Sequence, residues 1–462
     1  MASDAKQAPL RFDPAAFESF RFIAREIDER GHVTLRYALD EQVAFTEEFD
    51  LTTPRPLGTA DCERVEGLLS LLHWVAGVSY FKTAAPPLIS CETGQPPPAV
   101  AALLEALYSE GLGEFAYTNG LAALPRPAFS HQGSALTCPP RERPVAERRT
   151  PSRLLVPIGG GKDSAVALET IRHSGRELAL FSVGNAPPIA RTAAVAGLPH
   201  LVAERRLDPG LVALNGSGAL NGHVPITAIV SCVALLTAAL HGFDAVAMAN
   251  ERSASSGNLS WDGVEVNHQF SKGLRAELLF KDALGEVAQG LQLFSILRPA
   301  SELAIARAFA RMARYHGAFT SCNAIFRSDP ALRASSWCCE CPKCRFVFLV
   351  LAPFSEPAHL REIFGRDLLD DEAQFRGFAL LTATGGHKPF ECVGEEQESL
   401  AAIRMLAVDR RWSDHRVVRR LTGEVLPQHP PSAGDPAAVL ALSDEHAVPA
   451  ELMADVRAVL GA

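Results

Sequence analysis

The segment LLVPIGGGKDSAVALETI, at Leu154–Ile171, places three consecutive glycines between an apolar run and a helical pattern. The apolar run predicts a buried strand, and the spacing of apolar residues after Gly161 predicts a helix. A turn from a strand into a helix directs backbone N–H groups and the positive end of the helix dipole at one point. The segment therefore predicts a strand–turn–helix unit with an anion site at its turn.

The side chains of this turn suit a phosphate group and a magnesium ion. Glycine lets the backbone approach a phosphate closely, Lys162 adds positive charge, and Ser164 can donate a hydrogen bond from the first helical turn. The Asp163 carboxylate suits Mg²⁺ or a helix cap better than a bare phosphate. Val156 and Asp163 break the GxxxxGK(S/T) pattern of a Walker loop. The residues expected to bind phosphate and magnesium are Gly159, Gly160, Gly161, Lys162, Asp163 and Ser164.

Short apolar runs alternate with helical patterns from Leu154 onward. This alternation predicts an α/β fold with a doubly wound parallel sheet, in which ligands bind at the carboxyl ends of the strands. Ser182 and Asn185 lie at the carboxyl end of the second run, which usually meets the adenosine in the PP-loop enzymes that the glycine turn resembles, while a loop that starts a helix at Pro187 is the alternative. The predicted strands are 154–158, 178–183, 201–203, 245–249 and 291–296.

A segment rich in Pro, Arg and Ser, residues 124–153, lacks apolar periodicity and predicts a domain boundary. Before it, the alternation of apolar and polar residues around Gly31 predicts antiparallel strands within residues 19–51. Amphipathic patterns predict helices at 62–78 and 99–110. The N-terminal domain is therefore expected to be α+β.

The C-terminal region has a mixed pattern. Helices are predicted at 358–375 and 398–406, and one last helix is predicted after the Pro-rich break VLPQHPPSAGDP. Because 462 residues exceed the size of one hydrophobic core, two or three domains are expected. The predicted boundaries are 1–150 for the N-terminal domain, 151–345 for the α/β domain and 346–462 for the C-terminal region.

Composition argues against two classes of partner. Acidic residues outnumber basic ones by 53 to 44, and no basic stripe with aromatic residues occurs, so nucleic acid is not an expected partner. The longest uncharged apolar run, Val224–Leu240, falls short of the roughly 20 residues that span a bilayer, and it predicts a buried helix with Pro225 in its first turn. The N-terminus shows no signal-peptide pattern. We therefore expect a cytoplasmic protein without a membrane partner.

Four cysteines have the spacing of a structural metal site. Cys322 is followed by Cys338, Cys341 and Cys344 in the pattern C-x15-C-x2-C-x2-C, and Cys339 is left over. Four thiolates at such turns can close a tetrahedral Zn²⁺ site without an open coordination position, so the metal would serve folding and not catalysis. A redox-active C-x2-C pair or reduced thiols are the alternatives.

Two polar stretches stand out beyond the fourth predicted strand. The first, ANERSASSGNLSWDGVEVNHQFSKG, begins where a doubly wound sheet binds its substrate, and a solvated surface loop is the alternative. The second, GGHKPFECVGEEQES, concentrates His387, Lys388, Glu391 and Cys392, although a cysteine there also suits a small core residue. The substrate-binding candidates are Asn250, Glu251, Arg252, Ser253, Asn258, Asn267 and Lys272.

The glycine turn resembles the SGGxDS loop of the PP-loop ATP pyrophosphatases, which have the adenine nucleotide alpha hydrolase-like fold. Gly159 stands where that family usually has serine, so this chain lacks one hydroxyl that the resemblance implies for contact with pyrophosphate. Further segments, from about residue 18 to about residue 420, resemble the MurL-type ATP-dependent epimerases of UDP-N-acetylmuramoyl-L-alanyl-L-glutamate. These segments are HWVAGVSYFKTAAP, NERSASSGN, NHQFSKG, SCN with CPKCRFVFL, and GHKPFECVG.

The resemblance implies inversion of the terminal L-glutamate to D-glutamate in peptidoglycan precursor synthesis, coupled to conversion of ATP into AMP and pyrophosphate. ATP and Mg²⁺ are the implied cofactors, and the UDP-muramoyl dipeptide is the implied substrate. An acyl adenylate is neutral at the carboxyl, so a general base can take the α-proton and an acid can return one to the opposite face. Glu391 is a candidate for tuning a neighbouring group. The catalytic candidates are Cys392, His268, His387, Lys388, Lys162 and Asp163.

The tetrapeptide SYFK, Ser79–Lys82, has two interpretations under this resemblance. It either forms a wall of the groove for the uridine diphosphate and muramoyl groups, or it is a helix end that packs on the core.

Other functions are possible on the same residues. The cysteine spacing also resembles the zinc knuckle of the 7-cyano-7-deazaguanine synthases, although the chain is about twice as long as such an enzyme needs. A tRNA-thiolating enzyme would need a basic face that the net charge of -9 does not indicate. A regulator that binds ATP without hydrolysis would release no pyrophosphate, and amide ligation with ammonia would need a glutaminase.

Overall fold

The computed structural model describes residues 12–54, 62–129, 150–261, 263–326, 333–386 and 388–461, which fold into two compact units. The first unit comprises the described residues of Met1–Arg149, Ala203–Gly242 and Leu279–Leu291. The second comprises Thr150–Val202 and the described residues of Phe243–Leu278 and Gln292–Ala462. The domain boundaries at residues 150 and 345 stay a prediction.

The strands and helices follow one another along the chain, with strands numbered separately from helices. The strands are β1 (Ser19–Ile27), β2 (His32–Leu39), β3 (Val43–Asp50), β4 (Leu88–Cys91), β5 (Arg153–Pro157), β6 (Glu177–Val183), β7 (His200–Arg206), β8 (Ala245–Met248), β9 (Leu259–Trp261), β10 (Val264–Val266) and β11 (Gln292–Ser295). The helices are α1 (Cys62–Ala76), α2 (Val78–Phe81), α3 (Pro98–Ser109), α4 (Gly113–Thr118), α5 (Lys162–Arg172), α6 (Pro187–Ala196), α7 (Pro209–Asn215), α8 (Ile226–His241), α9 (Leu274–Val287), α10 (Glu302–Ala310), α11 (Pro342–Leu351), α12 (Pro357–Phe364), α13 (Phe375–Leu380), α14 (Glu396–Val408), α15 (Arg416–Arg420), α16 (Pro436–Leu440) and α17 (Met453–Leu460).

The first unit is built on the antiparallel strands that the alternation around Gly31 predicts. β2 pairs antiparallel with both β1 and β3, and β4 pairs parallel with β1. Residues 204–206 of β7 pair antiparallel with β3. Gly31 adopts a φ of +84°, and a Cβ there would lie 2.2 Å from the carbonyl oxygen of Leu51, so the turn between β1 and β2 requires glycine.

The apolar run at Val224–Leu240 forms the buried helix that the sequence predicts. It is α8, whose N-cap is Pro225 and most of whose residues are buried. Proline is suited to the start of a helix because its missing N–H would have no intrahelical acceptor there. Among the described residues, no helix has the length and apolar character needed to cross a membrane.

The second unit contains the parallel sheet. Its strand order is β11–β8–β5–β6, and every one of these pairings is parallel. β7 begins beside β6, where the N–H of Leu180 donates to the carbonyl of Pro199 at 2.8 Å. The prediction of an α/β fold with a parallel sheet is therefore confirmed, and all five predicted strands occur within two residues of their expected limits, apart from β7, which extends to Arg206. The assignment of this fold to the PP-loop class stays a prediction.

Two sequence expectations about the second unit were wrong in extent. The helix predicted over 358–375 ends at Phe364 as α12, because Gly365 has a φ of +81°, which readily terminates a helix, and the next helix, α13, begins only at Phe375. The single last helix is likewise two, α16 and α17. The polar stretch after β8 is not wholly loop, since β9 and β10 pair there as a short antiparallel hairpin.

Helices α10 and α11 pass through the main hydrophobic core of the second unit. The core joins their apolar residues to those of α5, α14 and the parallel strands. Two of these helices begin beside a polar segment: α5 begins at the glycine turn, and α11 begins at the cysteine cluster. The shared core therefore holds these polar starting points in fixed positions relative to one another.

Candidate active site

The glycine turn lies between β5 and α5, as the sequence predicts. Gly160 has a φ of +79°, and a Cβ there would lie 2.6 Å from the backbone carbonyl carbon of Pro188. The N–H of Gly159 donates to Oγ of Ser164 at 2.9 Å, and the N–H of Thr320 donates to the carbonyl of Gly160 at 2.9 Å. The turn therefore has a defined conformation that a larger residue at position 160 would disturb.

Lys162 is fully buried and forms ion pairs with two carboxylates, those of Asp163 and Glu302. Burial opposes the charge of Lys162, but the two carboxylates outweigh it and raise the pKa of this ammonium. Burial also acts on Asp163, yet Lys162, Lys343 and Lys272 together lower the pKa of its carboxyl. Asp163 is therefore ionised next to the glycine turn.

Glu302 connects the glycine turn to the cysteine cluster. Its side chain is 1% exposed, and its Oε1 lies 3.7 Å from Nζ of Lys343, the lysine of the CPKC segment. Burial and the nearby Asp163 raise the pKa of the Glu302 carboxyl. Nothing in the sequence pattern distinguishes Glu302 from an ordinary acidic residue in the first turn of a helix, so it was missed.

Cys392 lies beside Lys272, with 3.1 Å between Sγ and Nζ. Burial would raise the pKa of this thiol, but Lys272 and a hydrogen bond with His268 outweigh burial and lower the pKa to about 6. The Lys343 ammonium also donates a hydrogen bond to the carbonyl of Cys392. The structure thus places Cys392, from the second polar stretch, next to His268 and Lys272 of the first, and the thiol is mostly a thiolate at neutral pH.

A buried ion pair fixes the backbone of this cluster. Arg298 and Glu277 lie 3.1 Å apart, and their side chains are 1% and 4% exposed. The Arg298 guanidinium also donates to the carbonyls of Glu251 and Lys272, and Oε1 of Glu277 accepts from the N–H of Ser295 at 3.0 Å. Arg298 and Glu277 thereby hold the polar stretch after β8 and the start of α9 in one arrangement. Sequence reasoning missed both, because a long-range pair leaves no local pattern.

Glu398 joins the Cys392 segment to α10. Its Oε1 accepts from the N–H of Glu302 at 2.7 Å, and its Oε2 accepts from the N–H of Glu395 at 2.6 Å. Burial and the neighbouring Glu302 raise the pKa of Glu398 to about 8. Oγ of Ser256 donates to Glu395 at 2.7 Å, so the first polar stretch is attached to the same helix start.

Several predicted substrate residues make hydrogen bonds within the protein. Nδ2 of Asn250 donates to Ser295, Oδ1 of Asn258 accepts from the N–H of His268, and Nδ2 of Asn267 donates to the carbonyl of Ala254. These contacts shape the loop that carries His268 and Lys272. Ser253 is buried, and Glu251 is 5% exposed. Arg252 donates to the carbonyls of Val439 and Ala441, near α16. Direct contact with a substrate stays a prediction for all of these residues.

The remaining candidates differ in accessibility. Oγ of Ser182 lies 2.7 Å from the carbonyl of Gly184 and 2.9 Å from Nε2 of His200, so its hydroxyl is already hydrogen-bonded, whereas Asn185 is exposed. Lys388 is buried, and burial lowers the pKa of its ammonium, against the opposing effect of nearby Glu398. His387 lies outside the described residues.

Four cysteine sulfurs form a cluster that fits a zinc ion. The Sγ atoms of Cys322, Cys338, Cys341 and Cys344 all lie within 4.8 Å of one another. The Sγ–Sγ distances are 3.5 Å for Cys341–Cys344 and 3.8 Å for Cys338–Cys344, close to the roughly 3.8 Å expected between ligands of tetrahedral zinc with bonds of about 2.3 Å. Backbone N–H groups also point to sulfur, as from Cys344 to Cys341 at 3.4 Å.

The fifth cysteine of the segment stays apart from this cluster. Cys339 is buried, and its thiol donates to the carbonyl of Phe364 at 3.3 Å. Four convergent sulfurs and one divergent cysteine are the arrangement that the C-x15-C-x2-C-x2-C spacing predicts. The cluster is therefore able to bind a metal and is compatible with structural zinc.

Comparison with known proteins identifies the family. The MurL N-terminal domain matches residues 11–296, and the MurL C-terminal domain matches residues 318–435. A protein of Xanthomonas oryzae pv. oryzae is 42% identical over 450 residues, which cover 97% of this chain and 98% of the relative. A protein of Salinispora tropica is 45% identical over 425 residues, which cover 90% and 89% of the two chains.

A third relative, from a Micromonospora species, is 43% identical over 442 residues, which cover 94% of this chain and 96% of the relative. All three relatives are named UDP-N-acetyl-alpha-D-muramoyl-L-alanyl-L-glutamate epimerase. The resemblance to the MurL-type epimerases is thus confirmed, whereas the PP-loop class and the dependence on ATP stay predictions. The chain belongs to the MurL family of epimerases and is an enzyme of the isomerase class.

Proposed function

We propose that this enzyme inverts the terminal glutamate of UDP-N-acetylmuramoyl-L-alanyl-L-glutamate from L to D, through an acyl adenylate, in the synthesis of peptidoglycan precursors. The names of its relatives support the substrate and the inversion. The observation that carries the mechanism is the Cys392 thiol, 3.1 Å from the Lys272 ammonium and with a pKa of about 6. A thiolate so held is suited to take a proton from carbon.

Adenylation makes the α-proton removable. A carboxylate oxygen of the glutamate attacks the α-phosphorus of ATP, and pyrophosphate leaves with the electron pair of the broken P–O bond. The resulting acyl adenylate no longer carries a negative charge on that carboxyl, so the electrons of the broken C–H bond can delocalise into its carbonyl. Water then cleaves the acyl–phosphate bond, which restores the carboxylate and releases AMP.

Cys392 supplies one side of the proton transfer. In one direction its thiolate takes the α-proton and becomes a thiol, and a proton must then come from an acid on the opposite face. Lys388 is the described candidate for that acid, since it is buried near Cys392 and burial lowers the pKa of its ammonium. His387 remains the second candidate from the sequence. His268 contacts Cys392 directly and is better placed to orient the thiolate.

The glycine turn is the proposed site of ATP. Its backbone N–H groups and the start of α5 favour anionic oxygens, and Asp163 is an ionised carboxylate suited to Mg²⁺. Magnesium there would neutralise charge on the departing pyrophosphate. Ser182 and Asn185 remain proposed contacts of the nucleotide, and Asn250, Glu251, Arg252, Ser253, Asn258, Asn267 and Lys272 remain proposed substrate residues.

A structural zinc ion is the proposed occupant of the four-cysteine cluster. All four coordination positions would be taken by Cys322, Cys338, Cys341 and Cys344, so such an ion would bind no substrate. The cluster would act by holding the start of α11, and with it Lys343, whose ammonium contacts Glu302 and the Cys392 carbonyl.

The decisive experiment incubates the enzyme with ATP, Mg²⁺ and UDP-N-acetylmuramoyl-L-alanyl-L-glutamate in heavy water. We expect AMP, pyrophosphate and deuterium at the glutamate α-carbon to appear together, with D-glutamate recovered after hydrolysis. Cys392→Ser should lower α-deuteration by at least about 100-fold, the lower range for loss of an acid–base group, while pyrophosphate release continues. Cys91→Ser is the control, because burial raises the pKa of that thiol to about 12.

Each readout tests a separate part of the proposal. Wild-type enzyme that yields no D-glutamate and no α-deuterium contradicts the substrate or the reaction. Deuteration without consumption of ATP contradicts the acyl adenylate. Full deuteration in Cys392→Ser contradicts the role of this thiol and leaves the epimerisation itself intact.

A further inference from the structure

Lys82 is a buried ammonium in the first unit that the proposed chemistry does not use. It follows α2 directly, at the end of the SYFK segment, and its side chain is 6% exposed. The three preceding residues, Ser79, Tyr80 and Phe81, are buried as well. The other residues of this segment therefore pack in the core, and the positively charged ammonium of Lys82 lies in the same buried environment.

The partners of Lys82 are neutral. Its Nζ donates to Oδ1 of Asn221 and lies 3.3 Å from the carbonyl of Gly222. Among the described residues, no carboxylate lies within 4.0 Å of this ammonium. Arg205, in the same unit, shows the contrast, because its guanidinium lies 2.5 Å from Oε1 of buried Glu47.

Burial without a counter-charge is unfavourable to an ammonium. Burial lowers the pKa of Lys82 to about 8, so the group is still mostly charged at pH 7. Its positive charge is therefore retained at a cost in free energy that an apolar side chain would avoid. An anion bound next to Nζ would remove this cost, since it would supply the missing opposite charge.

The segment that faces Lys82 is held in place from two sides. The N–H of Leu220 donates to the carbonyl of Thr83 at 2.9 Å, and Nδ2 of Asn119 donates to the carbonyl of Asn221 at 2.8 Å. The N–H of Gly222 donates to Oδ1 of Asn221 at 2.9 Å. These contacts fix the position of the Asn221 oxygen that accepts from Lys82.

We propose that the Lys82 ammonium, positioned by Oδ1 of Asn221 and the carbonyl of Gly222, forms an anion site in the first unit that binds the diphosphate of a nucleotide. Lysine serves phosphate recognition as a compact point charge, whereas carboxylates are more often bound by the planar guanidinium of arginine. The anion site rests on the geometry of Lys82. The choice of uridine diphosphate as its ligand rests on the proposed function, in which the substrate carries that group.

The test is titration calorimetry of the full chain with UDP and, separately, with inorganic pyrophosphate. Lys82→Met removes the charge and keeps the length of the side chain. Asn221→Asp keeps Lys82 but places a carboxylate against it, which supplies an internal counter-charge and repels an anionic ligand. Lys281→Met, at an exposed lysine of α9, is the matched control.

We expect both Lys82→Met and Asn221→Asp to weaken UDP binding by about 10- to 100-fold, the range for one charge-assisted hydrogen bond, with no change in Lys281→Met. Pyrophosphate is also expected to bind at the glycine turn, so the UDP titration decides the site, and a parallel loss of pyrophosphate binding in both variants would show that Lys82 recognises the diphosphate alone. The melting temperature without ligand should change little in either variant, because Lys82→Met loses two hydrogen bonds but no longer buries a charge, and Asn221→Asp gains an ion pair with Lys82.

Two results would overturn the site. One is UDP binding of equal strength in wild type, Lys82→Met and Asn221→Asp, and the other is no binding of UDP to the wild type. If Lys82→Met fails to fold, Asn221→Asp decides the question. Since these titrations involve no ATP and no glutamate, they give the same answer whether or not the enzyme epimerises its proposed substrate.

Discussion

Replacing Lys272 with methionine should convert Cys392 from a thiolate into a thiol at neutral pH. The Lys272 ammonium lies 3.1 Å from Sγ, and its attraction opposes burial, which by itself raises the pKa of the thiol. With Lys272 present the pKa of Cys392 is about 6. Without this charge only His268 and Lys343 still oppose the effect of burial, so the pKa of Cys392 should rise towards the ordinary value of 9.0.

The magnitude follows from these two values. A change of the Cys392 pKa from about 6 to 9.0 corresponds to about 4 kcal/mol of lost stabilisation of the thiolate. For a full return to 9.0 the thiolate fraction at pH 7 would fall from about 0.9 to about 0.01, so roughly a 90-fold loss is the upper limit of the effect. The sign is that of a depressed acid pKa, so wild-type reactivity rises with pH through about 6. The reactivity of the variant should rise at a clearly higher pH, between about 6 and 9.

The assay is the rate at which iodoacetamide alkylates Cys392, followed by peptide mass spectrometry between about pH 5 and pH 10, because the thiolate is the reactive form. Lys281→Met serves as the control for loss of one lysine charge and should keep the wild-type profile. If the profile of Lys272→Met still has its midpoint near pH 6, Lys272 does not set the pKa of Cys392. The proposed origin of the base would then be wrong.

Two further predictions concern the glycine turn and the metal. Gly160→Ala should abolish pyrophosphate release and lower the free energy of unfolding in urea by about 1–3 kcal/mol, because φ is +79° and a Cβ would lie 2.6 Å from the Pro188 backbone. Gly159→Ala, whose Cβ meets one side-chain oxygen at 3.9 Å, should unfold like wild type, and equal losses would contradict the steric argument. Cys322→Ser should lose the bound zinc, about one ion per chain by metal analysis, whereas Cys339→Ser should retain it. Wild-type protein that binds no zinc would contradict the metal assignment.

Local patterns predicted much of the fold. The glycine turn and its two flanking elements lie within one continuous segment, so the succession of apolar run, glycines and helical spacing locates all three. The antiparallel strands around Gly31 are also predictable, since they are neighbours in the sequence. The pairing of residues 204–206 of β7 with β3 was not predictable, because its partners lie far apart in the chain and neither strand specifies the other. The end of α12 before Gly365 was not predicted either, because the sequence does not show that this glycine adopts a left-handed conformation.

The residues of the candidate site likewise fall into two groups, those that a local sequence pattern predicts and those that only three-dimensional contacts reveal. Cysteine spacing predicted which four sulfurs converge and which one does not, because a metal site constrains the distances between its ligands in the sequence. Lys272 and Cys392 were recognised as candidates, but not as a pair, since 120 residues separate them. No feature of the sequence pattern indicated Glu302 or Glu398 as residues of the site. An acidic residue in the first turn of a helix normally caps it, and only the three-dimensional contacts show that these two are buried with lysines or with each other.

The balance of charge in the cluster explains why magnesium should matter to the proposed reaction. Three lysines, the buried Lys162 and Lys343 and the partly buried Lys272, face the carboxylates of Asp163 and Glu302 and the Cys392 thiolate. With these groups ionised, three positive charges already meet three negative ones, so the lysines have no excess charge to offer a polyphosphate. Lys162 is held by two of these carboxylates and is not free to bind phosphate without leaving one of them. Neutralisation of a bound triphosphate then falls to the N–H groups of the glycine turn and to Mg²⁺ at Asp163.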